Sequence, residues 1–145
     1  MLPKEIELQI VTPERHVLEE TVQSVELPGK EGYLGILPGH APLLTELGAG
    51  VLTYRREAVT HTLSVIRGYA EVLPGRVIVL AEFSERAEEI DVERSRAARD
   101  RAKSDLAKAA PGDADWQRAS FALERALACL QAASAVRGAS PGKSA

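Results

Sequence analysis

The chain has one cysteine, one tryptophan and two phenylalanines in 145 residues, and aromatic residues make up only 4% of it. A single cysteine, Cys129, excludes a disulfide framework and a cysteine-built zinc site. Its neighbours Leu127 and Leu130 mark it as a small apolar helix residue rather than a catalytic thiol. The three histidines, His16, His40 and His61, share no ligand-like spacing, so no metal site is expected. Scarce aromatics, in a chain whose first half is acidic, argue against the stacking platforms that hold single-stranded nucleic acid. No apolar run approaches the roughly 20 residues of a membrane-spanning helix. The N-terminus, MLPKEIELQI, alternates like a strand and lacks a signal peptide's apolar core, so a soluble protein that stays where it is made is expected. There is no Gly-x-Ser-x-Gly elbow. Ser64, His61 and Glu57 read as surface residues of an alternating strand rather than a catalytic set, so catalysis by this chain alone is not expected.

What is present begins with Pro28–Pro42, PGKEGYLGILPGHAP. Gly29, Gly32 and Gly35 recur every three residues, a density that means unusual backbone conformations or close approach. Tyr33, Leu34, Ile36 and Leu37 between them are too apolar for a solvated linker. The stretch reads as an ordered docking surface or, alternatively, as an elaborate turn of a β protein. It is not a phosphate-cradling loop: Gly35 is followed by Ile36 and Leu37, and Lys30 precedes Gly32. Nor does it contain a dinucleotide Gly-x-Gly-x-x-Gly.

Up to about residue 83 the pattern has period two. Ile6, Leu8 and Ile10 alternate with polar residues, as do Val59, His61, Leu63 and Val65. Further short runs lie at His16–Val22, Val25–Leu27, Val51–Tyr54, Tyr69–Leu73 and Val77–Leu80. Turn signals separate them at Thr12–Glu14, Pro28-Gly29, Gly48-Ala49-Gly50 and Pro74-Gly75. This predicts a β-sandwich or flattened barrel of about eight to ten short strands over residues 1–85. Arg76–Ala81, apolar at nearly every position, reads as a strand covered on both faces.

After Glu85 the composition shifts to alanine, arginine and leucine. Asp91 is the expected N-cap of a helix from Val92 to about Ala110, and Asp113 that of a second helix to about Arg137. The fold class is therefore mainly β plus α: a sandwich followed by an antiparallel two-helix hairpin at 86–138, with a flexible tail at 139–145. The expected apolar stripes are Val92, Ser95, Ala98, Ala102, Leu106 and Ala109 in the first helix. In the second they are Trp116, Ala119, Leu123, Leu127, Leu130 and Ser134. An alanine-built interface buries little area, at about 25 cal/mol per Å², while alanine and arginine keep each helix helical when undocked. This is a composition suited to a switch.

Charge is divided unevenly. Residues 1–90 carry 8 Lys/Arg against 14 Asp/Glu, and residues 91–145 carry 10 against 7. Arg94, Arg101 and Lys108, spaced by seven, line one side of the first helix, and Arg96, Arg99 and Lys103 sit elsewhere on it. These are either a cationic ridge for an acidic partner or a solvated face with local pairs such as Glu93–Arg96 and Asp105–Lys108.

The run GYLGILPGHAPLLTELGAGVL resembles the glycine-rich segment of the ε subunit family of F-type ATP synthases. The resemblance extends through RGYAEVLPGRVIVLAE and ERAEEIDVERSRAA, and covers residues 4 to 137. It implies a sandwich that binds γ and rests on the c-ring, and a mobile helical hairpin that rises toward the catalytic αβ ring and restrains ATP hydrolysis. It implies a non-catalytic central-stalk subunit coupling proton flow to ATP synthesis. Such a subunit lies peripherally on the cytoplasmic face of the bacterial plasma membrane and meets the membrane only through the complex.

By the same resemblance, Glu31, Gly32, Tyr33 and His40 form the γ and c-ring loop, although Tyr33 stands where other members often carry an acid. Arg94, Arg96, Arg99, Arg101, Lys103 and Lys108 face an acidic segment of β. No cofactor is required, but some bacterial members bind ATP in the folded hairpin. Ile90-Asp91-Val92-Glu93-Arg94-Ser95 matches their motif except at its last residue, and Glu85 and Arg125 match further contacts. Cys129 replaces a second-helix arginine of the strongest binders, so ATP is expected as a weak regulatory ligand. The alternative is a stand-alone nucleotide-sensing module that holds ATP in the hairpin.

Overall fold

The computed structural model describes residues 2–138, and the tail expected at 139–145 lies outside the described residues. Alternation becomes strand along the first half of the chain. The strands are β1 (Ile6–Val11), β2 (His16–Val22), β3 (Ser24–Gly29), β4 (Gly32–Ile36), β5 (Leu43–Arg56), β6 (Val59–Leu73) and β7 (Arg76–Arg86). They form one sheet in the order β2-β1-β7-β6-β5-β3-β4. β1 and β7 pair in parallel, while the other neighbours are antiparallel.

The described residues thus contain seven strands, fewer and longer than the eight to ten short ones expected. The runs Val59–Val65 and Tyr69–Leu73 are one strand, and Gly48-Ala49-Gly50 lies inside β5 rather than at a turn. The ladders from β6 to β5 and β7 continue past Arg67-Gly68 without a change of register, so no hairpin forms there. What changes is which face looks inward. Leu63 and Val65 of β6 lie in the main core, but beyond Gly68 the core residues are Ala70 and Val72. Thr62, Ser64 and Ile66 are buried as well, on the opposite face. β5 inverts alongside, from Leu47 to Leu52 and Tyr54. Since successive side chains point to opposite faces, this needs a backbone irregularity. Arg67 (φ 54°) and Gly68 (φ 128°) supply it.

The inversion lets one sheet enclose a core and still offer a second buried face. The core draws on every strand: Ile6, Leu8, Ile10, Val22, Leu27, Ile36, Leu52, Leu63, Val72 and Val77 are essentially inaccessible. Arg76–Ala81 is not covered on both sides as its composition suggested. Val77, Val79 and Ala81 are buried, whereas Leu80 is 55% exposed. Ser64, expected at the surface, is fully buried. Its hydroxyl accepts from the Glu85 amide at 3.1 Å, and its carbonyl accepts from Ser84 Oγ at 2.7 Å.

A 3-10 turn at Ala87–Glu89 leads to α1 (Val92–Lys108) and α2 (Ala114–Gly138). Asp91 caps α1 as expected, its carboxylate accepting from the Arg94 amide at 3.1 Å. At the start of α2, Asp113 offers its backbone carbonyl to the Gln117 amide. α2 lies against β5 and β6, and α1 packs on α2.

The stripe expected on α2 is only partly the buried one. Ala119, Ala126, Ala128, Cys129, Ala132 and Ala133 are buried, whereas Leu127 and Ser134 are exposed, and Trp116, Leu123 and Leu130 are half-buried. Small side chains bring the helix close to the sheet, and the leucines fall to its flank. On α1 the expected stripe largely holds: Ala102 is buried, Val92, Ser95, Leu106 and Ala109 are half-buried, and Ala98 is exposed.

Candidate functional site

The hairpin closes a cleft of about 540 Å³ against the end of β7. Its walls include Glu85, Asp91, Arg94 and Arg125, four residues separated by up to 40 positions in the chain. β7 supplies Glu85 on the face that looks at α2, the α1 cap supplies Asp91, and Arg94 and Arg125 come one from each helix. Arg101, Glu89 and Phe121 line the same cleft and were not anticipated there. The signal for Arg101 was its seven-residue spacing from Arg94, which places both on one side of α1.

Cys129 forms part of the cleft's floor. Its thiol lies 3.6 Å from Ser64 Oγ and 3.7 Å from Glu85 Oε1. Burial pushes the thiol up to about 11 from its ordinary 9.0, with the Ser64 contact opposing and the Glu85 charge reinforcing the rise. Such a thiol is almost wholly protonated at neutral pH and contributes no charge to the cleft. Arg125 is held by stacking, its guanidinium carbon 3.8 Å from the centroid of Phe83.

The remaining cations divide between the two sides of the hairpin. Lys108 borders a groove with Asp105 and Arg118 that continues the Arg94–Arg101 side through Ala122. Arg96 and Arg99 border the opposite groove beside Leu130 and Ser134. Ion pairs engage Arg96 with Glu93 and Arg99 with Asp100. The pair anticipated between Asp105 and Lys108 does not form among the described residues. Arg94, Arg101 and Lys108 make no ion pair there either, so the side of α1 spaced by seven keeps its charge available, and Lys103, elsewhere on the helix, is exposed and also makes none there.

The second candidate surface is at the far end of the sheet. The glycine-rich stretch is mostly a hairpin, β3–β4, whose turn at Lys30-Glu31 is followed by Gly32 at φ 140°. Glu31, Gly32 and Tyr33 line a hollow of about 440 Å³ together with Leu43, Leu44 and Glu46. Lys30 Nζ meets Glu46 at 3.2 Å and fixes the turn over β5. Tyr33 is half exposed, and its hydroxyl accepts from the Val51 amide at 3.1 Å, stitching the hairpin to β5. His40 stands in the loop before β5, with Nδ1 2.7 Å from the Ala41 carbonyl, and the Gly39 amide donates to Pro74. Next to this loop, neighbouring strands present exposed apolar side chains on one face. Leu44 is 71% exposed, Tyr69 54% and Leu80 55%, with Tyr69 directly opposite both Glu46 and Leu80.

Residues 5–87 match the family described as ATP synthase, Delta/Epsilon chain, beta-sandwich domain, and residues 88–134 the long alpha-helix domain of the same chain. An ATP synthase epsilon chain of Moorella thermoacetica is 51% identical over 132 residues, covering 90% of this chain and 98% of that one. One from Nitratidesulfovibrio vulgaris is 47% identical over 130 residues, covering 90% and 96%. Among solved structures, the Euglena gracilis mitochondrial ATP synthase (OSCP/F1/c-ring) contains a chain with a TM-score of 0.76 at 26% identity. That match covers 92% of this chain and 83% of the other. No described helix is long and apolar enough to cross a membrane. With both of its parts matched and near-complete relatives at about half identity, this chain belongs to the ATP synthase delta/epsilon chain family.

Proposed function

We propose that this chain is an ε-type central-stalk subunit of an F-type ATP synthase that couples proton flow to ATP synthesis. In this role β1–β7 bind γ and the c-ring, and the helical hairpin restrains ATP hydrolysis by rising toward the αβ ring. The subunit is non-catalytic and sits on the cytoplasmic face of the bacterial membrane through the complex alone. The observation that carries the reading is the exposed row Leu44, Tyr69 and Leu80 beside the Glu31–Tyr33 turn and the His40 loop. Contiguous apolar side chains on a solvent-facing sheet mark a docking face, and Glu71 among them suits a basic, apolar partner such as a helix of γ.

Replacing Leu44 and Tyr69 together with glutamate tests it. Both side chains point to solvent, so the fold is expected to stand. Removing two central anchors, at about 2 kcal/mol each, should weaken copurification with γ by a hundredfold or more. Undiminished binding to γ would move the docking face elsewhere.

The convergence of Glu85, Asp91, Arg94 and Arg125 on one cleft supports ATP as a weak regulatory ligand of the docked hairpin. Permanently charged guanidiniums suit phosphate, and the thiol of Cys129, where strong binders carry another arginine, keeps the affinity low. Trp116, half-buried at the start of α2, is the reporter. Its fluorescence should change saturably with ATP, and Arg94→Ala or Arg125→Ala should raise the half-saturation about tenfold, one charge-assisted contact each. Saturation unaltered by either substitution would exclude the cleft as the site.

A further inference from the structure

Docking of the hairpin depends on α2, because α1 packs on α2 rather than on the sheet. The apolar part of that contact is thin. On the helix its buried residues are alanines and Cys129, and on the sheet they are Ile66 and a small cluster in which Val51 and Ala87 meet Ala132, flanked by Ile90. The polar part is specific. Arg67 of β6 presents its guanidinium to Glu124 of α2 as a fork, Nε to Oε1 at 2.9 Å and Nη2 to Oε2 at 3.2 Å. The same guanidinium carbon lies 5.1 Å from the centroid of Phe121, one helical turn before Glu124. Arg125, the next residue, reaches the other way and stacks on Phe83 of β7 at 3.8 Å.

These contacts are reciprocal: a sheet arginine covers a helix phenylalanine, and a helix arginine covers a sheet phenylalanine. The chain has two phenylalanines, and both are used in this way. Arg67 is also one of the few non-glycine residues at positive φ, at the point where β6 inverts its faces. A left-handed arginine inside a strand is unfavourable, and it persists where the surroundings require it. Here the conformation turns Arg67 toward α2. Its side chain and that of Glu124 remain about 40% exposed, so salt reaches the pair.

We propose that the Arg67–Glu124 fork, together with the Arg67–Phe121 and Arg125–Phe83 stacks, is the latch that sets how often the hairpin leaves the sheet. The latch deepens the regulatory reading above and rests on it in one respect, namely that the hairpin's departure is what controls hydrolysis. Its release is salt-dependent, because both partners of the fork are charged and solvent-accessible. Its specificity lies in the fork, since a lysine at position 67 keeps the charge but loses the paired donors and the flat face for Phe121.

Cys129 provides the measurement. It is the sole thiol, 3% exposed under docked α2, so alkylation of the full chain by a maleimide follows the undocked population. At low salt, Glu124→Gln and Arg67→Lys should each raise the labelling rate about fivefold to tenfold. Between roughly 0.05 and 1 M salt, spanning Debye lengths of about 14 to 3 Å, labelling of the unaltered chain should accelerate while that of Glu124→Gln should not. The charge-swapped pair Arg67→Glu with Glu124→Arg should label more slowly than Arg67→Glu alone, which separates a broken latch from a damaged fold. Labelling indifferent to Glu124→Gln and to salt would overturn the latch. Faster labelling with unaltered inhibition in the assembled complex would keep the latch and overturn the inhibitory reading.

Discussion

Truncation after Glu89 is expected to leave a subunit that still assembles with γ but no longer restrains ATP hydrolysis. The main core is built wholly from residues between Ile6 and Ala81, so the sandwich retains its buried leucines, isoleucines and valines when the hairpin is removed. The second cluster loses Ala132 and Ile90 and keeps Val51 and Ala87, a small loss. The proposed γ row at Leu44, Tyr69 and Leu80 lies on strand segments beyond the face inversion and is exposed with α2 docked, so α2 does not cover it. The measurement is paired: copurification of the truncated chain with γ, and the hydrolysis rate of the reconstituted complex. Binding should match that of the full chain, and the rate should rise severalfold. Loss of γ binding would show that the helices contribute to assembly, and the division of labour proposed here would fail.

The largest effect of a single residue is expected at Gly68. An added Cβ there would lie 1.9 Å from the Leu80 carbonyl oxygen and 2.9 Å from Ala81 Cα, both backbone atoms of the adjacent strand. The residue also holds φ at 128°, a region side chains resist. Neither problem can be relieved by a rotamer change. Gly68→Ala therefore forces β6 from β7 at the centre of the sheet, with an expected cost of roughly 3–5 kcal/mol, the range of severe core lesions. At about 2–4 °C per kcal/mol for a chain of this size, thermal unfolding should move down by about 10 °C or more. Gly35→Ala is the control, since no atom lies within 4 Å of its added Cβ and no positive φ is involved. Its midpoint should shift by only a degree or two. Equal shifts for the two substitutions would mean that the inversion at Gly68 is not sterically required.

The parts of the fold that local chemistry controls were open to sequence reading. Asp91 caps α1 because a carboxylate before a helix satisfies free amides wherever it occurs. Alternation at Ile6–Ile10 gives a strand with Ile6, Leu8 and Ile10 inward because the strand period is two in any sheet. The four cleft residues were found as a set, from motif resemblance, and the structure brings them to one place. The long strands were harder to read. Gly48-Ala49-Gly50 and Arg67-Gly68 carry the composition of turns, but they serve as inversion points inside continuous strands. Local sequence does not distinguish a glycine that ends a strand from one that flips it.

Local sequence sets the two textures of the chain, the helix cap, the alternating strands and the surplus of cations on one side of α1. Each of these depends on residues a few positions apart. Tertiary structure alone decided that α2 docks by its alanines and leaves Leu127 in solvent, that Ser64 is buried beneath Cys129, and that Arg67 meets Glu124 across 57 positions. Those outcomes follow from how closely two surfaces can approach, and small side chains win a contact where distance limits it even when larger apolar ones are available on the same helix.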